Sequence, residues 1–147
     1  MRILFRILAG IVGLSLASCL LAPWLAYEVA LARMGTLPVP PRPLATPQQQ
    51  AEVWQRAGGE GPLVVEPLNP YGFVLALVGR DRVRPGEEIA YWVARAHLMG
   101  QADQGGMLGG QIRSAALTVW LTRHWSAEEL ATAAHAAARS QASGQRP

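Results

Sequence analysis

The sequence predicts an all-α chain, with one membrane-crossing helix at the N-terminus and a small helical domain after it. Three observations carry that reading. An uncharged apolar run from Ile7 to Tyr27 follows Arg2 and Arg6, and Glu28 is the first carboxylate. In a helix, about 20 apolar residues match the roughly 30 Å hydrocarbon core of a bilayer. Downstream, apolar residues recur at helical spacing in segments bounded by helix-starting and helix-stopping residues. Finally, Leu63-Val64-Val65 suits a short extended stretch but has no obvious partner strand nearby.

The first segment, residues 1–32, is open to three fates. A basic start and an apolar middle fit a cleaved secretory signal. Leu16-Ala17-Ser18-Cys19 is an acceptable lipobox, and Cys19 is the only cysteine, which fits a lipoprotein. The favoured fate is an uncleaved signal anchor, because the apolar run continues past Cys19 through Leu20, Leu21, Trp24 and Leu25. Trp24 and Tyr27 stand at its far end, where amphipathic rings favour the interface. Cys19 is then an ordinary small residue of a membrane helix. Arg2 and Arg6 hold the short N-terminal end in the cytoplasm, so the remainder is expected in the periplasm or outside the cell. With no cysteine beyond Cys19, that remainder is held by packing alone.

Residues 33–47 contain five prolines, Pro38, Pro40, Pro41, Pro43 and Pro47, and read as an extended linker lifting the domain off the membrane. The helical domain is expected over 48–141. Thr46 caps a short helix with Pro47 in its first turn, which Gly58-Gly59 stops. Residues 61–72 read as irregular. Phe73 to Val78 is an apolar run, helix or strand, followed by a polar turn from Gly79 to Gly86. Glu87 to Met99 is a helix with acids in its first turn and an apolar stripe of Ile89, Trp92, Val93 and Ala96. Gly100 to Gly110 holds five glycines and reads as a loop. Gln111 to His124 is apolar on most faces and suits a central buried helix. Ser126-Ala127-Glu128-Glu129 is a capping box opening a last helix to about Ser140, and residues 142–147 are expected to be a disordered tail.

All 13 basic residues are arginine, the usage of a GC-rich bacterial genome. Arg2 and Arg6 aside, they nearly balance the 10 acids, so the sequence pI of about 9.8 reflects arginine's high pKa more than a basic face. No basic cluster is interleaved with aromatics, and no nucleic-acid partner is expected. His97, His124 and His135 are too dispersed for a metal site, and no metal or cofactor is expected. Glu87-Glu88 complements a helix dipole, and Trp92, Trp120 and Trp125 read as core or core edge. No nucleophile motif is present.

Within residues 73–130 three features follow in order: Ala76-Leu77-Val78-Gly79-Arg80-Asp81, then Arg95-Ala96 in a helix, then Gly109-Gly110 with Leu117 and Leu121. This stretch resembles the lysozyme-like transglycosylase domain of bacterial peptidoglycan glycosyltransferases, themselves anchored by an N-terminal helix. The resemblance implies a lysozyme-like fragment as the fold. It implies Arg95, Gly109, Gly110 and Arg113 as residues around a lipid-linked cell-wall precursor, with Asp81 as the catalytic candidate. Arg80 stands where the family has its catalytic glutamate, and a cation cannot exchange a proton with a sugar hydroxyl at neutral pH. Gln111 to Ala116 replaces the family's Ser-Thr-Ile-Thr-Gln-Gln, and the resemblance does not reach the family's second half. The expectation is therefore a truncated relative without full catalysis, binding the precursor or cell-wall enzymes. A membrane-tethered scaffold with no small-molecule site is the alternative.

Overall fold

The computed structural model describes residues 2–72, 83–99, 101 and 106–144. Among them every regular element is helical: α1 (Arg2–Ala32), α2 (Pro47–Arg56), α3 (Pro85–Met99), α4 (Gly106–His124) and α5 (Ala127–Gly144). Residues 70–72 are helical as well. The Phe73–Val78 run and the first half of the polar turn after it, 79–82, lie outside the described residues.

Helix α1 continues unbroken through Pro23. Each residue from Gly10 to Leu21 is exposed, yet the last turns of α1 carry Tyr27 and Ala30, with Met34 just beyond, into the core of the domain. One helix among the described residues, Gly10–Ala32, is long and apolar enough to cross a membrane.

Helix α2 starts where a hydroxyl, a proline and a glutamine meet. The Thr46 hydroxyl accepts from the Gln49 N–H at 3.4 Å, and the Gln49 side-chain oxygen accepts from the Thr46 N–H at 3.0 Å. Pro47 has no N–H to leave unsatisfied there. Gly58, at φ +79°, ends the helix in the left-handed region.

Helix α3 opens two residues before the expected Glu87. Gly86 is buried in its first turn, where an added Cβ would meet Val64 O and Val65 Cα at 3.1 Å. The Leu63–Val65 segment therefore runs across the start of α3 rather than pairing as a strand. Ile89, Ala90, Val93 and Ala94 are the buried positions, while Trp92 and Ala96 are half-buried. The stripe turns toward the alanines because α3 packs against α4 and α5 together, and small residues admit two close neighbours.

The expected loop over Gly100–Gly110 is corrected in its last part: Gly106 to Gly110 are helical, so α4 begins well before Gln111. Glycine is a poor helix former, but packing of an apolar face contributes more to helix stability than propensity does. Leu117, Val119 and Leu121 of α4 join Ile89 of α3 and Leu130 of α5 in the centre of the core.

Two buried threonines fasten the irregular segments. The Thr122 hydroxyl donates to the Val119 carbonyl and accepts from the Leu68 N–H at 3.1 Å. The Thr132 hydroxyl donates to the Glu128 carbonyl and accepts from the Ala45 N–H at 3.0 Å. The proline-rich segment thus does not lift the domain away from α1. Arg42 also pairs with Glu129 at 3.4 Å, and the Thr36 carbonyl lies 2.9 Å from His97 Nε2. Extended proline-rich backbone satisfies none of its own polar groups, so bonding to helix side chains stabilises a docked course.

Helix α5 begins at the expected capping box, with the Ser126 N–H donating to Glu129 Oε2 at 2.8 Å. It continues through Gly144, past the expected end near Ser140 and into the expected tail. Beside the cap, backbone and Ser126 hydrogen bonds hold the Glu128 carboxyl below its ordinary value, against a small opposing effect of burial. A depressed carboxyl favours the folded state above its ordinary pKa of about 4 and loses that contribution as pH falls through the lower folded value. Thermal melts followed by circular dichroism should therefore show the midpoint falling below about pH 4, and Ser126→Ala should flatten that fall.

Candidate functional site

Helix α4 runs back along α1, antiparallel to it. At one end the Arg123 guanidinium lies 5.3 Å from the centre of the Trp24 ring. At the other, the C-terminal end of α3 reaches Thr36 beyond α1 through His97 and Gln101, and shares a cleft with the start of α4. That cleft, about 490 Å³ in volume, is the candidate site. Its size falls in the range of small-molecule sites, roughly 300–1,000 Å³.

Helical spacing builds both walls. Tyr91, Arg95, Leu98 and Met99 recur at three- and four-residue steps and share one face of α3. Gly106, Gly110, Arg113 and Ser114 do the same on α4, with Gln101 and Gln111 at the ends. Arg95 leans over the Tyr91 ring, its guanidinium carbon 6.0 Å from the ring centre, which orients the cation without neutralising it. The described lining residues include two arginines and no carboxylate. The first turn of α4 adds the positive end of a helix dipole and backbone N–H groups without helical partners. Such an arrangement suits an anion.

Of the residues singled out in the sequence, Arg95, Gly110 and Arg113 come together on this cleft. Gly109 is half-buried in the first turn of α4 and is not among the lining residues. In a loop, Gly109 and Gly110 would offer free N–H groups. In the helix, the Gly110 N–H points back along the axis to the residue four before it, so the donors facing outward are those at Gly106 and just after. Arg80 and Asp81 lie outside the described residues. Tyr91, Gln101, Gln111 and Ser114 were not singled out from the sequence. Tyr91 was within reach of it, standing four residues before Arg95 on one helix face.

The histidines remain apart, and no cluster suited to a metal ion occurs among the described residues. His97 Nε2 lies 3.0 Å from the Gln101 amide nitrogen, joining the rim of the cleft to Thr36. His124 stacks on Trp120, the ring centres 4.6 Å apart. No protein-family model matches the chain, and neither a curated protein nor a solved structure matches it.

Proposed function

We propose that this chain is a single-pass membrane protein whose helical domain, outside the cytoplasm, binds an anionic ligand in the α3–α4 cleft without turning it over. The observation that carries the reading is the convergence of Arg95, Arg113 and the start of α4 on one cleft. The outward orientation rests on Arg2 and Arg6 at the short end of the anchor. The resemblance to the peptidoglycan glycosyltransferases suggests a cell-wall precursor as the ligand, and Arg80 in place of their glutamate agrees with binding in the absence of polymerisation. The cleft stands beyond the outer end of α1. Arg113 is ten residues from Arg123, about 15 Å along α4, which favours an anion reached from water over one embedded among lipid headgroups.

The test is calorimetric titration of the detergent-solubilised full chain with inorganic pyrophosphate. Binding should weaken as salt rises, and Arg95→Glu should lower affinity about ten-fold or more while leaving the melting temperature unchanged. Equal affinity in the two proteins would sink the cleft as the site. A tethered interaction module is the second reading, favoured by the exposed Met99 and Ile112 on the two helices that form the cleft. It requires the reverse pattern, with Ile112→Glu abolishing partner binding and Arg95→Glu sparing it.

A further inference from the structure

We infer that the domain does not stand above the bilayer but is seated in its outer headgroup layer, with Tyr71, Trp24 and Arg123 at the level of the lipid phosphates. The inference rests on the single-pass reading of α1 and adds to it where the water boundary falls.

Length decides the matter first. The domain meets α1 as early as Leu20, whose carbonyl accepts a hydrogen bond from the Tyr71 hydroxyl. From Arg6 to Leu20 the helix rises only about 21 Å, and from Arg2 about 27 Å, against a hydrocarbon core of roughly 30 Å. Wherever the inner boundary is set, the outer one falls at or beyond Leu20. The lower end of the domain therefore shares its depth with lipid.

The bare side of α1 gives a second, independent argument. Leu21 and Leu25, one helical turn apart, are 57% and 60% exposed at the same height at which Trp24 and Tyr27 are covered by the domain. Were this level in water, a stripe of leucine would be solvated beside a packed interface. Lipid covers it at no such cost. Glu28, exposed one turn higher, marks where water begins. Between Leu20 and Leu25 the domain overlaps the lipid-covered stretch by about 7 Å, the depth at which interfacial elements lie.

The chemistry at that depth agrees. Tyr71 and Trp24 are amphipathic rings of the kind that collect at the membrane interface. Arg123 is exposed, with its guanidinium over Trp24 and an N–H donated to the Leu68 carbonyl at 3.4 Å. An arginine braced in this way presents its remaining donors in a fixed direction, which suits a phospholipid phosphate.

The experiment uses the full chain in phosphatidylcholine–phosphatidylglycerol vesicles, with Cys19→Ser and single fluorophores placed through Leu14→Cys, Leu25→Cys, His124→Cys or Gln111→Cys. Nitroxide lipids labelled either at the headgroup or deep in the acyl chain serve as quenchers. Leu14 should be quenched by the deep label. Leu25 and His124 should be quenched at least two-fold more by the headgroup label than Gln111 is. If Leu14 is quenched and His124 behaves like Gln111, the seated domain is overturned and the anchor stands. If Leu14 is not quenched, the anchor itself fails, and this inference with it. Quenching of Leu25 by a second labelled chain in place of lipid would assign that face to another copy and overturn the inference.

Discussion

Leu121→Ala is expected to bring the domain close to unfolding. Leu121 is fully buried on α4, in the core that Ile89 of α3 and Leu130 of α5 complete. Truncating such a leucine removes its burial and leaves a cavity that neighbours only partly fill, a loss of about 2–5 kcal/mol. Domains of this kind are stable by only about 5–15 kcal/mol in all. The surrounding positions cannot collapse easily, because α4 is tied to Leu68 through Thr122 and packs against both α1 and α3. Urea titration of the detergent-solubilised protein, followed by circular dichroism, should show the midpoint falling sharply with an unchanged slope. Leu121→Met, which conserves volume, should cost less than about 1.5 kcal/mol. A loss below about 1 kcal/mol for the alanine variant would mean that α3, α4 and α5 do not share this core.

Gly59→Ala is expected to be the most damaging change of a single methyl group. A Cβ at Gly59 would overlap Cδ2, Cε2 and Nε1 of the Trp54 indole, which is buried and has no free end to swing aside. The Gly59 N–H also donates to the Trp54 carbonyl at 2.9 Å, which pins the backbone in place. Overpacking of this kind costs about 1–3 kcal/mol, and relief requires that Trp54 leave its site. The measurement is tryptophan emission together with thermal melting: a red shift and a lower midpoint are expected. Gly58→Ala supplies the contrast. Gly58 has open space around its Cβ position but a φ of +79°, so its cost is conformational alone, about 1–2 kcal/mol, without the spectral shift. Identical emission spectra for Gly59→Ala and the parent would refute the close approach.

Much of the helical layout was legible because its signals are local. Thr46-Pro47 and Ser126 with Glu129 begin helices through bonds that span three residues, and those bonds form where the sequence places them. The start of α4 was not legible, since the glycines from Gly106 to Gly110 argue against helix by every local measure. The helix reaches back to Gly106 all the same, with open space around the Cβ positions of Gly106 and Gly110, so no local pattern marks its start. The proline-rich segment was misjudged for the same reason. Its course is set by Thr132, Glu129 and His97, far away in the chain.

The candidate site was legible in part. Arg95, Gly110 and Arg113 were singled out, and the fold brings them to one cleft, but the orientation of their donors could not be read from order alone. A helix at Gly109-Gly110 in place of a loop turns those N–H groups along the axis. Tyr91 and Ser114 enter the site only once both helices are known to face each other.

By itself the sequence determined that the chain is helical, that its first helix is apolar enough to cross a membrane, and where its capped helices begin. Each of these depends on composition or on contacts within one or two turns. Only the tertiary structure decided that the last turns of that first helix belong to the core of the domain. It alone decided that the linker is docked and that two arginines share a cleft on the end remote from Trp24. Those outcomes depend on which faces meet, and burial between distant segments is a property of their fit, which no local pattern encodes.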